Sequence, residues 1–366
     1  MWRSHSNGKE SRTCDHSPAD CKAGWNAVTP SNRPRVMWSD VYQHSLRGEL
    51  MRTLGVLLLF TTVCAAQVTD AQRQLFAYDF KQPLDVKQKQ LEQRPWARVF
   101  AIDYASPHGG RVTGFLVEPT ATGKHPAIVF GHWGPGNATE FVPEAIMYAR
   151  AGVVSVMIDY PWVRPAPWRK SIETSQTTAE QDRDIRAQAV VDLRRAFDLL
   201  LARPDVDPQR IAYVGHSYGA QWGAILSAVD RRMCATVLIG GVPGLAAIYL
   251  ENQDPDMVAL RQQVGLHELK KYVAVQSVLD AIRYIPQAAP IPLLFQFARY
   301  ERYFDQAAMD QYYAVAPQPK QRRQYSSGHD LNGVAVVSDR AHWLAEKLQT
   351  PGIIKAFDDE VRTANP

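Results

Sequence analysis

The chain has 366 residues, 46% of them hydrophobic and 21% charged, with 41 Lys and Arg against 37 Asp and Glu for a formal charge of +4. So small an excess of positive charge argues against a nucleic-acid partner. No internal repeat, low-complexity tract or heptad run is present, and the prolines are scattered rather than gathered into a linker.

The N-terminal region sets the first boundary. "MRTLGVLLLFTTVCAAQ", from Met51 to Gln67, joins a basic start, an apolar stretch and the small residues Ala65 and Ala66. This is the layout of a secretory signal, with a buried strand or helix as the rival reading, and its apolar core is too short for a comfortable membrane span. A signal belongs at an N-terminus, so translation is expected to begin at Met51, with residues 1–50 an upstream extension and 51–66 the signal. A start at Met1 would instead leave the protein cytoplasmic. Cleavage near Ala66 removes Cys14, Cys21 and Cys64 and leaves Cys234 alone, so no internal disulfide is expected. Cys14, His16 and Cys21 fit no standard zinc spacing, and no metal or cofactor is expected. Removing residues 1–66 takes away 8 basic and 5 acidic residues and leaves 33 and 32. The remaining stretch, 67–366, suits one large α/β domain.

Within it, Trp96–Pro119 reads as a hairpin whose turn is Pro107-His108-Gly109-Gly110. "PAIVFG" at 126–131 is a continuous apolar strand, followed by the glycine-rich loop "HWGPGN" at 132–137 and a helical stretch to about Arg150. "GVVSVMIDY" at 152–160 is another buried strand. A long connection rich in Pro, Trp and Thr covers 161–180. Its Trp162, Arg164, Trp168, Arg169 and Lys170 could line a site for sugars or an acidic acyl group, or be solvated loop residues anchored by tryptophan. From Gln181 to Ala202, apolar residues at helical spacing predict a surface helix with Arg and Asp on its outer face, ended by Pro204.

Arg210–Val214 then reads as a strand, Gly215-His216-Ser217-Tyr218-Gly219 as a sharp turn, and Gln221–Ser227 as a helix. Strands at 235–241, 290–298 and 321–327 follow, with a helical pattern from Asp339 to Leu348. Alternating strands and helices imply a mainly parallel sheet, with functional residues in loops beyond the carboxyl ends of strands. Residues 243–289 interrupt the rhythm with helical pieces, an insertion that could cover a pocket or add a packing layer.

A G-x-S-x-G turn between strand and helix is where a serine nucleophile sits, because side chains at the flanking glycines would collide with the turn. A serine hydroxyl is a poor nucleophile at neutral pH and needs a base, and the base needs an orienting group. His329, in the glycine-containing loop after the last strand, is the expected base. His267 lies in the insertion and His342 in the terminal helical pattern. The acid should fall between serine and histidine in chain order. Glu301 and Asp305 in "FQFARYERYFDQ" are the candidates, with Glu301 preferred and Asp305 read as a helix cap. A developing oxyanion needs two donors. Tyr218 N–H is one, and the second should come from Trp133 or Gly134 in the 132–137 loop, with His132 holding that loop in place.

These residues resemble the α/β-hydrolase superfamily, and within it the dienelactone-hydrolase-like and acetyl-xylan-esterase-like hydrolases, over roughly residues 95–350. The resemblance implies an α/β-hydrolase fold and a mainly parallel central sheet flanked by helices. It also implies hydrolysis of a small-molecule carboxylic ester, or a related acyl bond, through an acyl-serine. The family normally has Gly and Asp where this chain has Ala298 and Glu301, and most often Gly where it has Trp133. Dienelactone hydrolases use a cysteine nucleophile, so Ser217 speaks against that activity. A serine peptidase of the prolyl-oligopeptidase type would need a propeller that residues 67–96 cannot supply. That peptidase and a binding protein on an inactive hydrolase fold are the two alternatives.

Overall fold

A computed structural model describes residues 68–172 and 176–364. The expected extension at 1–50, the signal at 51–66 and the cysteines at 14, 21 and 64 lie outside the described residues. Nine strands form one sheet in the order β1-β2-β3-β5-β4-β6-β7-β8-β9. They are β1 Lys87–Gln93, β2 Ala97–Ala105, β3 Arg111–Pro119, β4 His125–Gly131, β5 Val154–Ile158, β6 Val206–His216, β7 Ala235–Ile239, β8 Leu293–Ala298 and β9 Lys320–Tyr325. The run from β5 through β4 to β9 is parallel, while β1, β2 and β3 join it antiparallel. The fold is therefore α/β with a mainly parallel sheet, as the strand and helix alternation predicts.

The central strands are buried on both faces, and alternate residues feed different cores. Val129 and Tyr213 point to the layer containing helix Ala179–Leu201. Ile128, Phe130 and Val214 point to the layer built by helices Val142–Ala149, Val334–Lys347 and Gly352–Ala364. The edge strand β1, "KQKQLEQ", exposes every residue and has no apolar alternation, so sequence periodicity does not reveal it. Its lysines suit an edge that must not pair further.

Helix Ala179–Leu201 departs from expectation. Much of its polar side is covered rather than solvated: while Glu180, Gln181 and Asp184 stay exposed, Asp182, Arg186, Asp192 and Arg195 are all buried. Three segments cover them. Arg195 donates to the carbonyls of Phe80 and Gln82, Arg164 from the long connection pairs with Asp192 at 2.5 Å, and Tyr272 of the insertion donates to Asp182. Arg164 is thus a fully buried structural ion, neither a solvated residue nor among the residues that line the cavity beside Ser217. Arg169 donates to the Arg164 carbonyl and Lys170 to Gln188, so this stretch is bound to the fold rather than loose.

The insertion contains helices Pro255–Val264, Leu266–Gln276 and Ala281–Tyr284, with a π-helical turn at Ala247–Glu251. It packs on helix Ala179–Leu201 through Gln276, which donates to the Ala179 carbonyl. Val242, just before it, and Ile248, Tyr249 and Met257 within it reach a cavity above the parallel strands.

Candidate active site

The position of Ser217 follows from local backbone chemistry. Ser217 directly follows β6 with φ 54° and ψ −109°, a conformation that a non-glycine residue adopts only when its surroundings hold it. Its N–H donates to the Ile239 carbonyl of β7 at 2.8 Å, and the helix Tyr218–Val229 starts immediately after it. The turn admits no side chain at the flanking glycines. A Cβ on Gly219 would stand 2.1 Å from the Gly131 carbonyl oxygen, and one on Gly215 would stand 2.2 Å from the Gly219 carbonyl oxygen.

The loop after β9 brings His329 over this turn. Its Nε2 lies 2.9 Å from Ser217 Oγ, and its Nδ1 lies 2.7 Å from Glu301 Oε2. With the Nδ1 proton donated to the carboxylate, Nε2 is left with a lone pair facing the Ser217 hydroxyl. The other Glu301 oxygen accepts the Tyr303 N–H at 3.0 Å, and the Tyr303 ring stands edge-on to His329. Gly240, at φ 58°, lets β7 end against the imidazole, since a Cβ there would come within 3.3 Å of His329 Cε1. Asp305 is elsewhere engaged: it caps helix Gln306–Val315 by accepting the Ala308 N–H. His267 is exposed on the insertion, and His342 bonds the Ser338 carbonyl.

The 132–137 loop lies beside the start of the serine helix because Gly219 N–H donates to the His132 carbonyl. His132 is buried and fixed at both nitrogens: Nδ1 donates to the Trp133 carbonyl at 2.6 Å, and Nε2 accepts the Tyr160 N–H at 3.2 Å. Desolvation by burial pushes its pKa down to about 3, partly opposed by the Trp133 carbonyl, so the ring is neutral. Trp133 corrects an expectation. Its N–H donates to Glu140 Oε2 at 2.8 Å, which removes it from the pair of oxyanion donors considered and leaves Gly134. Tyr218 is the first helical residue, so its N–H has no carbonyl partner within the helix. Trp162 donates to the Gly134 carbonyl at 2.8 Å and steadies the loop.

Ser217 and His329 open into a cavity of about 410 Å³ whose walls are apolar and aromatic, with Trp162, Val242, Ile248, Met257 and Phe304 among them. Sequence reasoning missed Glu140, Tyr249 and Tyr303, since an isolated acid or tyrosine in a loop or helix carries no signal of what it faces. Among the described residues, no group of His, Cys, Asp and Glu could hold a metal ion.

Residues 74–247 match the family model of acetyl xylan esterase (AXE1). An uncharacterized protein, YfhR of Salmonella typhi, is 24% identical over 233 residues, covering 62% of this chain and 72% of that protein. Among solved structures, an acetyl xylan esterase from Paenibacillus sp. R4 superposes with a TM-score of 0.63 at 19% identity, covering 76% of this chain and 92% of the other. Acetyl xylan esterase 1 from Thermoanaerobacterium sp. JW/SL YS485 gives the same TM-score and the same coverage of both chains at 15% identity.

Proposed function

We propose, for a chain that is an α/β-hydrolase acting on ester bonds, that Ser217, His329 and Glu301 cleave a carboxylic ester through an acyl-serine intermediate. One observation carries this reading: the continuous contact from Glu301 through His329 to Ser217 at the floor of an apolar cavity. His329 Nε2 takes the hydroxyl proton as Ser217 Oγ attacks the ester carbonyl carbon. Glu301 supports the imidazolium that forms. The N–H groups of Tyr218 and Gly134 are the proposed donors to the oxyanion. His329 then gives its proton to the leaving alcohol as the ester C–O bond breaks. Water, deprotonated by the same base, releases the acid and restores the serine.

The walls favour a neutral substrate with an apolar acyl or alcohol group, because they offer contact area and few polar partners. Acetylated xylan, the substrate named for the matched family, is one arm of the test. Export by way of residues 51–66 belongs to the same proposal and rests on the basic, apolar and small-residue order of that segment. N-terminal sequencing of the native protein checks it, and a mature chain beginning before Met51 would overturn it.

The decisive experiment measures hydrolysis of p-nitrophenyl esters from acetate to octanoate, and of acetylated xylan, by the chain from Gln67, with Ser217→Ala beside it. A phosphonate probe followed by peptide mass mapping identifies the nucleophile. Turnover lost on Ser217→Ala by about 10⁴-fold or more, with labelling at Ser217, is expected. A folded protein that neither turns over nor labels would overturn the reading in favour of a binding role.

A further inference from the structure

His216 precedes the nucleophile, is buried, and has oxygen partners at both ring nitrogens. Nδ1 lies 2.6 Å from Glu140 Oε1, and Nε2 lies 3.0 Å from the backbone carbonyl oxygen of His329. A carbonyl oxygen can only accept. Glu140 takes the Trp133 N–H at its second oxygen, 2.8 Å away, and a proton shared between Oε1 and Nδ1 resides on the ring, because a carboxylic acid is a stronger acid than an imidazolium. A neutral imidazole has one N–H and one lone pair, so it would aim that lone pair at one of these two oxygens. An imidazolium donates to both, and the Glu140 carboxylate supplies its counter-charge.

We infer that His216 is held as an imidazolium and is a positioning residue, a cationic strut joining the three segments that make the site. Through its own backbone it fixes the Ser217 turn. Through Nε2 it fixes the main chain of His329, and through Glu140 it fixes the 132–137 loop. The surroundings suit a cation. Beside Glu140, the titratable and charged groups that share its surroundings are the His329 ring, 5.3 Å away between centroids, and, lining the same cleft, Glu144, Asp330, Glu360 and Arg340. Arg340 is already taken up by both oxygens of Glu144 and by Gln296. The positioning role rests on His329 being the base, whereas the protonation state rests on hydrogen-bond geometry alone.

Substitution at Glu140 separates charge from hydrogen bonding. In Glu140→Gln, the amide oxygen can accept the Trp133 N–H while the amide NH₂ donates to Nδ1 of a neutral His216. Every bond of the strut survives without the charge. In Glu140→Ala, both bonds to residue 140 are lost.

The first test is a histidine side-chain ¹H–¹⁵N spectrum of the labelled wild-type chain at pH 7.5, with His216 assigned through His216→Gln. Two protonated ring nitrogens are expected at His216, and one in Glu140→Gln. A single protonated nitrogen in the wild type would overturn the inference, whether or not the protein hydrolyses any ester. The second test is kinetic. Glu140→Ala is expected to lose about 10- to 100-fold in kcat with KM within about threefold of wild type, and Glu140→Gln to recover most of that loss. Wild-type kcat in Glu140→Ala would overturn the positioning role. Absence of ester turnover in the wild type would overturn the proposed function, and with it the positioning role, while leaving the spectroscopic result standing.

Discussion

The Glu301 carboxylate meets His329 Nδ1 at 2.7 Å, while Asp305, in the same loop, turns its carboxylate to the Ala308 N–H and begins a helix. Two neighbouring acids thus face different tasks. Glu301→Gln is expected to lower kcat by about 10³- to 10⁴-fold with little change in KM, because the amide can present a donor to Nδ1 and favour the wrong tautomer. Asp305→Ala is expected to cost about 1 kcal/mol of stability through the lost cap and to keep kcat. Steady-state kinetics with urea unfolding separates the two. Equal losses of kcat would refute the assignment.

The serine turn and β4 approach each other through backbone alone. In Gly219→Ala the new methyl carbon would overlap the Gly131 carbonyl, 2.1 Å away, and a main-chain carbonyl in a central strand cannot step aside as a flexible side chain would. A loss of about 3 kcal/mol or more, or failure to accumulate soluble protein, is expected. Wild-type stability in urea unfolding would show that the turn is looser than this contact implies.

Arg164 and Asp192 pair at 2.5 Å, both side chains fully buried, and Asp192 also accepts the Ser106 hydroxyl at 2.6 Å. Breaking one partner leaves a buried charge without its counter-charge. Asp192→Asn is expected to cost about 3 to 5 kcal/mol, and the apolar double replacement Arg164→Met with Asp192→Leu to cost less than that single change. A double-mutant cycle by chemical denaturation checks the order.

Acid sensitivity follows from His132. Burial holds its pKa near 3, against 6.5 in an open setting, so below about 6.5 the unfolded chain takes up a proton that the folded one refuses. Its contribution to stability is fully present above that pH. It is lost as pH falls towards about 3, by up to about 1.4 kcal/mol per unit. Asp280 works in the opposite sense. Burial raises it from 3.8 to about 6, so its neutral form contributes stability that is lost as pH rises between those values. Comparing wild type with His132→Asn isolates the histidine: the stability gap measured at pH 7.5 should narrow at pH 5. An unchanged gap would contradict the buried neutral ring.

Much of this fold was legible because its signals are local. Apolar runs such as "PAIVFG" and "GVVSVMIDY" are too continuous for a half-solvated strand, and the glycines around Ser217 are those that a tight strand-to-helix turn requires. Strand β1 was not legible, because an exposed edge strand needs no apolar period. The polar side of helix Ala179–Leu201 was misread for a related reason. Helical spacing tells which residues share a side, but not whether a distant segment will cover it.

The sequence by itself determined the order of the strands from β2 onward, the serine turn, and a short set of residues able to serve as base and acid, since propensity and periodicity are properties of neighbouring residues. Tertiary structure alone decided that Glu301 rather than Asp305 reaches His329, that Trp133 gives its N–H to Glu140, and that His216 stands between two acceptors. Those outcomes depend on distances of about 3 Å between loops far apart in the chain. Such distances are set by how the sheet orders its strands and where each loop leaves it.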